Sequence, residues 1–217
     1  PEPPYNHLDV DAGYSWLKSP RWKGHAMEVG PLESVLMLYA KGNEKTQHLV
    51  NSTLSQLELP VRALFSTLGR TAARTLETAV LADGMQMWLD SLIGNIRAGD
   101  TKTFNEDLWL PSSWPQKCQG VGVMEAPRGA LSHWIVIEDG KIANYQAIVP
   151  STWNAGPRDP NGKPGAYEAA LEDAHEMYDP EQPLEILRTI HSFDPCIACA
   201  VHVTDPDGEE LVQVAVR

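Results

Sequence analysis

The stretch from Asp194 to His202, with the sequence DPCIACAVH, constrains this chain more than any other part. Cys196 and Cys199 are separated by two residues, with a carboxylate before them and an imidazole after them. Two intervening residues allow both sulfur atoms to turn toward one point, and thiolates are ligands that nickel, iron and zinc all accept. The pair can therefore close on one metal ion, and the spacing alone leaves all three metals open.

Other uses of a cysteine pair fit the neighbouring residues less well. A c-type haem site is disfavoured because Ala200 stands where a histidine must follow the second cysteine. A thioredoxin-like dithiol opens a helix after a strand, whereas here a helix-like run, Leu184 to Ile190, precedes the pair and an extended run, Val203 to Val216, follows it. A zinc site needs a further ligand, such as Cys118 or His191. From these residues alone, zinc ranks first and a pair of buried, unliganded cysteines follows closely.

The composition limits the class of protein. The chain has 217 residues, 42% of them hydrophobic, which suffices for a sizeable core in one or two domains. A net charge of −12 argues against nucleic acid or an anionic membrane surface as partner. Three cysteines are too few for a disulfide framework, so we expect them reduced or metal-bound. From the pattern of residues 1–217 we expect neither an N-terminal signal peptide nor a transmembrane segment.

Apolar residues spaced by three or four predict five helices, over residues 30–42, 45–57, 60–96, 166–176 and 183–190. Pro31 suits the first turn of the first helix and Gly42 suits its end. The longest helix could kink at Gly84. We expect it to pack in a bundle through one apolar face, formed by Val61, Leu64, Phe65, Leu68, Ala72, Leu76 and Val80 and continued by Trp88, Leu92 and Ile96. Four charged residues are expected to face solvent: Arg62, Arg70, Arg74 and Glu77.

Alternating polar and apolar residues predict a β-hairpin. Its strands, Leu131–Ile137 and Ile142–Val149, flank a turn that contains Asp139–Gly140. The hairpin begins just after Arg128 and ends just before Ser151, so both residues are expected at the same end of it. Two further strands are expected on either side of residues 205–208, and residues 101–118 are expected to form a loop that ends with Cys118 as a buried free thiol. The expected fold class is mainly α (α+β), a helical bundle with a small antiparallel β-hairpin element.

The segment Pro183–His202 resembles the C-terminal signature of the large subunit of nickel-iron uptake hydrogenases. Four blocks resemble the same family in the same order: Tyr14–Gly24, Met27–Leu32, Glu125–Leu131 and Val149–Asn154. The resemblance covers essentially the whole chain. This family carries a second pair, R-x-C-G-x-C, near the N-terminus of the subunit, and Cys118 is the only other cysteine here. Residues 1–217 are therefore expected to be the C-terminal segment of a longer large subunit.

The resemblance implies a nickel-iron centre whose iron carries CN and CO ligands. Cys196 would be a terminal nickel ligand that also takes a proton, and Cys199 would bridge the two metals. Arg128, beside Pro127, would lie over the open coordination position with Asp194 held near it. Taken without the family, Arg128 reads as a surface ion pair and Asp194 as a cap on the turn before the first cysteine.

Further residues are implied by the same resemblance. Ser151 would donate a hydrogen bond to a cyanide on iron. His202 would bind a magnesium ion, or an iron ion, together with the backbone carbonyl of Ala147. Read alone, Ser151 is only a loop hydroxyl. His133 and His191 are expected to be core histidines, and Trp16 and Trp22 are expected to anchor the N-terminal segment to a core.

The resemblance also implies partners and a location. The enzyme would oxidise H2 and pass electrons to a small subunit with iron-sulfur clusters. Residues 203–217 would be a maturation extension that an endopeptidase removes. The subunit would be periplasmic or membrane-associated through its small subunit, and cytoplasmic before export. Two alternatives stay open: a non-catalytic fragment that binds zinc, nickel or a partner through Cys196, Cys199 and His202, and an unprocessed chain held by maturation factors.

Overall fold

The structure is a computed structural model, which describes residue 15, residues 17–172 and 176–195, and the backbone of residues 200–204 and 210–215. In this part of the chain three helices are followed by three strands, then by three short helices and two further strands. The helices in this described part are α1 Pro31–Ala40, α2 Glu44–Gln56, α3 Thr67–Arg97, α4 Pro150–Asn154, α5 Ala166–Glu172 and α6 Leu184–Ser192. The strands are β1 Lys117–Ala126, β2 Gly129–Glu138, β3 Lys141–Ile148, β4 Ala200–Thr204 and β5 Glu210–Ala215. The fold is therefore mixed α/β.

The chain divides into two compact units. Unit 1 comprises Pro1–Gly30, Glu125–Ala130 and Ile148–Arg217. Unit 2 comprises Pro31–Met124 and Leu131–Ala147. The residues that the sequence associates with chemistry fall in unit 1, except Ala147.

The core of unit 2 is formed by α1, α2 and the first half of α3, as the expected bundle requires. Asn43 caps α2, because its side-chain oxygen accepts a hydrogen bond of 2.9 Å from the backbone N–H of Thr46. Gly42, with φ of +80°, ends the preceding helix in the left-handed conformation that glycine allows. The buried apolar side chains of this core are Leu32, Val35, Val50, Leu54, Leu64, Ala73 and Leu76.

Helix α3 corrects the expected long helix in two ways. It begins at Thr67, because residues 61–64 form a separate 3₁₀ turn and Ser66 caps the new helix by accepting a hydrogen bond from the N–H of Gly69 at 3.0 Å. Because of this break, the residues of α3 that face the core are not those that a continuous helix from residue 60 would place there. Leu68, which was expected in the core, is 80% exposed. The helix then runs through Gly84 without interruption.

The second half of α3 is exposed although it is strongly apolar. Its exposed side chains are Leu81, Met85, Met87, Trp88, Leu89, Leu92, Ile93 and Ile96. The expected bundle packing is therefore wrong for this half within the described residues. Of the four charged residues expected in solvent, Arg70, Arg74 and Glu77 are half-buried, and Arg62 alone is exposed as expected.

A three-stranded antiparallel sheet with the order β1-β2-β3 replaces the expected two-stranded hairpin. The β2–β3 hairpin is confirmed, and its turn has φ of +50° at Asp139 and +72° at Gly140, as a primed two-residue turn requires. Strand β1 is an addition, and it contains Cys118, which is half-buried in a strand rather than buried at the end of a loop. Pro127 and Arg128 form the two-residue connection between β1 and β2.

Unit 1 contains the three short helices and the last hairpin. The ring of Phe193, which is buried, packs against Tyr167 of α5 with ring centroids 4.8 Å apart, and this fixes the end of α6. Strand β4 pairs antiparallel with β5, and His202 lies opposite Gln213. The two strands predicted around residues 205–208 are thus confirmed, with the first beginning at Ala200.

Three aromatic or histidine predictions fail in the described residues. His133 is exposed on β2, where its Nδ1 forms a hydrogen bond with the hydroxyl of Tyr145 on the neighbouring strand. His191 is exposed in the last turn of α6. Trp22 is 62% exposed, so it does not anchor the N-terminal segment. Trp16 lies outside the described residues.

Candidate functional site

Arg128 and Asp194 are in contact in unit 1. Nε of Arg128 lies 3.3 Å from Oδ1 of Asp194, with the two side chains 46% and 38% exposed. Asp194 follows the end of α6 with a φ of +53°, and its backbone N–H donates a hydrogen bond of 2.9 Å to the carbonyl of His191. Because exposed ion pairs stabilise a fold by only about 0–1 kcal/mol, this pair matters chiefly as a fixed arrangement of charges. In the sequence, Asp194 stands two residues before Cys196.

The backbone around Arg128 crosses a second segment at very short distance. A Cβ atom on Gly129 would lie 2.7 Å from the backbone nitrogen of Gly30 and 2.8 Å from Cγ2 of Val29. A Cβ atom on Gly30 would lie 3.2 Å from the carbonyl oxygen of Arg128. Both glycines have positive φ, +123° and +132°, which other residues rarely adopt. Only glycine therefore allows the two segments to approach so closely.

Asn154 ties α4 to the same segment. The backbone N–H of Val29 donates to Oδ1 of Asn154 at 2.9 Å, and Nδ2 of Asn154 donates to the carbonyl of Val29 at 2.9 Å. Asn154 is 1% exposed. Its amide thus satisfies both buried backbone groups of one residue, as a paired strand would. Ser151 is buried in the first turn of the same helix, so it belongs to a helix that this contact holds in place.

A buried carboxylate organises the loop after α4. Oδ1 of Asp159 accepts hydrogen bonds from the backbone N–H groups of Asn161 at 2.8 Å and Lys163 at 3.0 Å. Its second oxygen lies 3.8 Å from Nδ1 of His25, and the side chain is 1% exposed. The hydrogen bond from Lys163 is the main cause that holds the pKa of Asp159 below its ordinary value of 3.8, and Asn161, His25 and Arg21 act in the same direction against burial.

Arg21 holds the other side of this loop. Its guanidinium donates hydrogen bonds to the carbonyls of Pro157 at 2.6 Å and Arg158 at 3.2 Å. The segment before α1 is therefore fixed to the loop by Arg21, and to α4 by the backbone of Val29. The same segment reaches Arg128, since the backbone of Gly30 lies against the carbonyl of Arg128.

Within residues 17–172 and 176–195, no three His, Cys, Asp or Glu side chains are grouped closely enough to hold a metal ion. The described helices also include none that is both long and apolar enough to cross a membrane.

Comparison with known proteins identifies the family. The family described as nickel-dependent hydrogenase matches residues 1–202. The chain belongs to the nickel-dependent hydrogenase family. The resemblance seen in the cysteine signature and the four ordered blocks is thereby confirmed.

Curated relatives of this hydrogenase chain are long proteins. The uptake hydrogenase large subunit of Bradyrhizobium diazoefficiens is 58% identical over 210 residues, which cover 97% of this chain and 35% of that protein. The hydrogenase-1 large chain of Escherichia coli strain K12 is 53% identical over 210 residues, with the same two coverages. The chain thus spans about a third of the length of the curated relatives it matches.

Solved hydrogenases share its fold. The reduced, active form of the Ni-Fe-Se hydrogenase from Desulfomicrobium baculatum aligns with a TM-score of 0.65 and 31% identity, over 87% of this chain and 37% of that one. The actinobacterial-type NiFe-hydrogenase from Ralstonia eutropha H16 aligns with a TM-score of 0.51 and 38% identity, over 60% of this chain and 23% of that one.

The structure describes only some of the residues expected at a hydrogenase metal centre. Pro127, Arg128, Ser151 and Asp194 all lie in unit 1, and Arg128 and Asp194 are in contact. Ala147 lies in β3 and belongs to unit 2. Cys196 and Cys199 lie outside the described residues, and His202 is described for its backbone only. The roles expected for these residues stay predictions.

Three features of this hydrogenase chain were missed from the sequence. Asn154 lies in one of the family blocks, but nothing in its neighbours marks it as buried. Asp159 lies in a loop rich in glycine and proline, where an aspartate usually only starts a turn. The crossing of Gly30 and Gly129 could have been suspected, because each glycine lies within a family block.

Proposed function

We propose that this chain forms the C-terminal part of the large subunit of a nickel-iron hydrogenase, and that the assembled enzyme oxidises H2 to protons and electrons. The observation that carries the proposal is the contact between Arg128 and Asp194. It sets a guanidinium, which keeps its charge at any physiological pH, beside the carboxylate two residues before Cys196. The family match over residues 1–202 and the identities to uptake hydrogenases support the same activity.

The donor set suits a nickel-iron centre. Cys196 would hold nickel as a terminal ligand and Cys199 would bridge nickel and an iron that carries CN and CO. Soft thiolates are appropriate for both metals, and this chain provides two of the four that the family uses. When bound, the centre supplies the Lewis acidity and the change of oxidation state that heterolysis of H2 requires.

The side chains of this chain then have distinct tasks. The sulfur of Cys196 would also be the group that can take up a proton. Arg128, beside Pro127, would provide a fixed positive charge at the centre, and Asp194 would orient its guanidinium through the contact of 3.3 Å. The hydroxyl of Ser151, which is buried on the first turn of α4, would donate a hydrogen bond to a cyanide of the centre.

A second ion is proposed at the end of the family match. His202 and the backbone carbonyl of Ala147 would bind magnesium, or iron, with a carboxylate from outside this chain. Imidazole is an unusual ligand for magnesium, which prefers oxygen, so iron would suit the histidine better.

The proposed partners follow from the same function. The electrons would pass to a small subunit with iron-sulfur clusters, which would also carry the complex across the membrane and attach it there. Residues 203–217 would be removed by a maturation endopeptidase. The pairing of β4 with β5 supports treating this extension as a folded segment, since its second half forms a strand against the residues around His202.

The test is a metal analysis of the complete large subunit that contains this chain, produced with its small subunit and maturation proteins. We expect nickel in the purified protein, iron beyond that of the clusters, and H2-dependent reduction of a dye. Cys196→Ala and Cys199→Ala should each remove the nickel. Cys118→Ala is the matched control, because this third cysteine lies in β1, and its variant should keep both nickel and activity.

The non-catalytic alternative predicts a different result from the same preparation. Zinc in place of nickel, or no metal, together with an uncleaved extension, would contradict the proposed function. Nickel that persists in both Cys196→Ala and Cys199→Ala would contradict the ligand assignment.

A further inference from the structure

We infer that Asn154 is a positioning residue for Arg128, acting through the backbone of Val29 and Gly30. This inference rests on the proposed function only for its effect on H2 oxidation; the positioning itself follows from contacts inside unit 1. Asn154 is not proposed to touch substrate or metal.

The first step is the pairing of Asn154 with Val29. Two hydrogen bonds of 2.9 Å join one side-chain amide to the N–H and the carbonyl of the same residue. Asn154 is almost completely buried, and Val29 is buried as well. Because no water can replace either bond at a buried position, loss of the amide would leave two backbone groups unsatisfied. The two hydrogen bonds therefore fix the position of the Val29 backbone.

The second step is the crossing of Val29–Gly30 with Arg128–Gly129. The position of a Cβ on Gly129 lies 2.9 Å from the carbonyl carbon of Val29, so the two backbones are in direct contact. The carbonyl oxygen of Arg128 faces Gly30. Contact on both sides means that Arg128 cannot shift toward Val29, and a shift of Val29 would remove the surface against which Arg128 rests.

The third step concerns the site as a whole. Arg128 lies in a two-residue turn between β1 and β2, and its side chain is nearly half exposed, so few contacts hold the side chain itself. Its placement depends on the backbone of the turn. Asn154 stands on the same short helix as Ser151, so one buried amide couples the support of Arg128 to the helix that carries Ser151.

Hydrogen-deuterium exchange of the complete large subunit that contains this chain, prepared without nickel, tests the positioning without the metal centre. In Asn154→Ala, we expect exchange to accelerate about tenfold or more in peptides that cover residues 28–30 and also in those that cover residues 126–131. Asn95→Ala is the matched control, because Asn95 is exposed on α3, and it should leave both peptides unchanged. Acceleration confined to residues 28–30 would overturn the inference.

A second variant keeps the test decisive if Asn154→Ala does not fold. Gly30→Ala places a methyl group 3.2 Å from the carbonyl of Arg128 at a φ of +132°, and leaves the amide of Asn154 intact. It should accelerate exchange over residues 126–131 as well. Unchanged exchange there would show that Val29–Gly30 does not support Arg128, and would overturn the inference.

The assembled hydrogenase provides a readout that general destabilisation would not change. Asn154→Ala should lower the rate of H2 oxidation about tenfold at unchanged nickel and iron content, and should shift the infrared bands of the cyanide ligands in the same direction as Arg128→Lys does. Full activity with unshifted bands would overturn the inference. A wild-type complex without H2 oxidation would instead overturn the proposed function, while the exchange result on residues 126–131 would still decide the positioning.

Discussion

Nε of Arg128 lies 3.3 Å from Oδ1 of Asp194, and this contact joins the turn between β1 and β2 to the residue that leads into the cysteine motif. Both side chains remain accessible to solvent. The ion pair holds the guanidinium in a defined position but contributes little to stability. Because the guanidinium is also accessible, its charge can act on a bound ligand.

Arg128→Lys should separate activity from stability. Lysine keeps the charge but loses the planar guanidinium, so we expect the rate of H2 oxidation by the assembled enzyme to fall at least about tenfold. The free energy of unfolding of the 217-residue chain should change by less than about 1 kcal/mol. Arg158→Lys is the control, since Arg158 also forms an exposed ion pair, 3.0 Å from Glu172, and its variant should retain the activity. Equal loss in both variants would contradict a specific role for Arg128.

Asp159→Asn should destabilise the loop after α4 and change the response of unit 1 to acid. The pKa of Asp159 is lowered in the folded chain, so its ionised form stabilises the fold above the ordinary value of 3.8, and this contribution is lost as the pH falls through the lower folded pKa. The wild type should therefore lose stability over that acid range more steeply than Asp159→Asn. Denaturant unfolding at several pH values measures this.

Asp179→Asn provides the comparison for that experiment. Asp179 also accepts a hydrogen bond from a backbone N–H two residues later, that of Glu181 at 3.0 Å, but this hydrogen bond is exposed to solvent. Its variant should follow the wild type across the acid range. A steep acid transition that persists in Asp159→Asn would assign the effect to other carboxylates.

Glu33 and Glu77 should make the helical core of unit 2 more stable in mild acid than at neutral pH. Burial raises the pKa of Glu33 above 4.5, and the charge of Glu77 raises it further against the opposing effect of Lys41. Burial also raises the pKa of Glu77, against the hydrogen bond with Ser34 and the charge of Arg74. The folded state then binds more protons than the unfolded state, so stability falls as the pH rises from 4.5 through the raised pKa values.

Glu77→Gln tests this pH dependence. It removes one of two like charges, so unfolding measured by denaturant should show higher stability at neutral pH and a weaker decrease from about pH 4.5 to 7. Glu58→Gln, at an exposed position in the same unit, should leave the slope unchanged. An identical slope in Glu77→Gln would refute the assignment.

The apolar second half of α3 should cause the 217-residue chain to self-associate. Large exposed apolar patches on a soluble chain favour association, and Trp88 and Leu92 are both more than half exposed here. The double variant Trp88→Glu, Leu92→Glu should shift sedimentation velocity profiles toward the monomer. Gln86→Glu and Ser91→Glu add the same two charges on the same helix without removing apolar surface, and should have a smaller effect. Profiles that do not differ between the two double variants would attribute the change to charge alone.

Local sequence patterns predicted the elements that are determined by residues close together in the chain. The β2–β3 hairpin was predictable because Asp139–Gly140 accepts the positive φ values of its turn. Helix α1 was predictable from Pro31 and Gly42. Strand β1 was missed because Gly120 and Gly122 interrupt the alternation that marks a strand.

Other features depend on contacts that no local pattern contains. The phase of α3 changes at Ser66, where a capping hydrogen bond outweighs the continuous apolar spacing of residues 60–80. Asn154 and Val29 are 125 residues apart, and an asparagine is normally an exposed residue, so its burial follows only from the tertiary fold. The Arg128–Asp194 contact was expected because of the family resemblance, since residue types alone favoured an ordinary surface pair.

The antiparallel pairing of β4 with β5 has a consequence for any cut made after His202. As long as the chain is intact, the connection keeps the two strands at a high effective concentration, although an isolated two-stranded ladder is only marginally stable. Cleavage would turn the ladder into an association between two separate molecules, one of them a short peptide. Once diluted, the cleaved peptide would dissociate from β4 and would not rebind. The separation of the two strands would then be irreversible without any further source of energy.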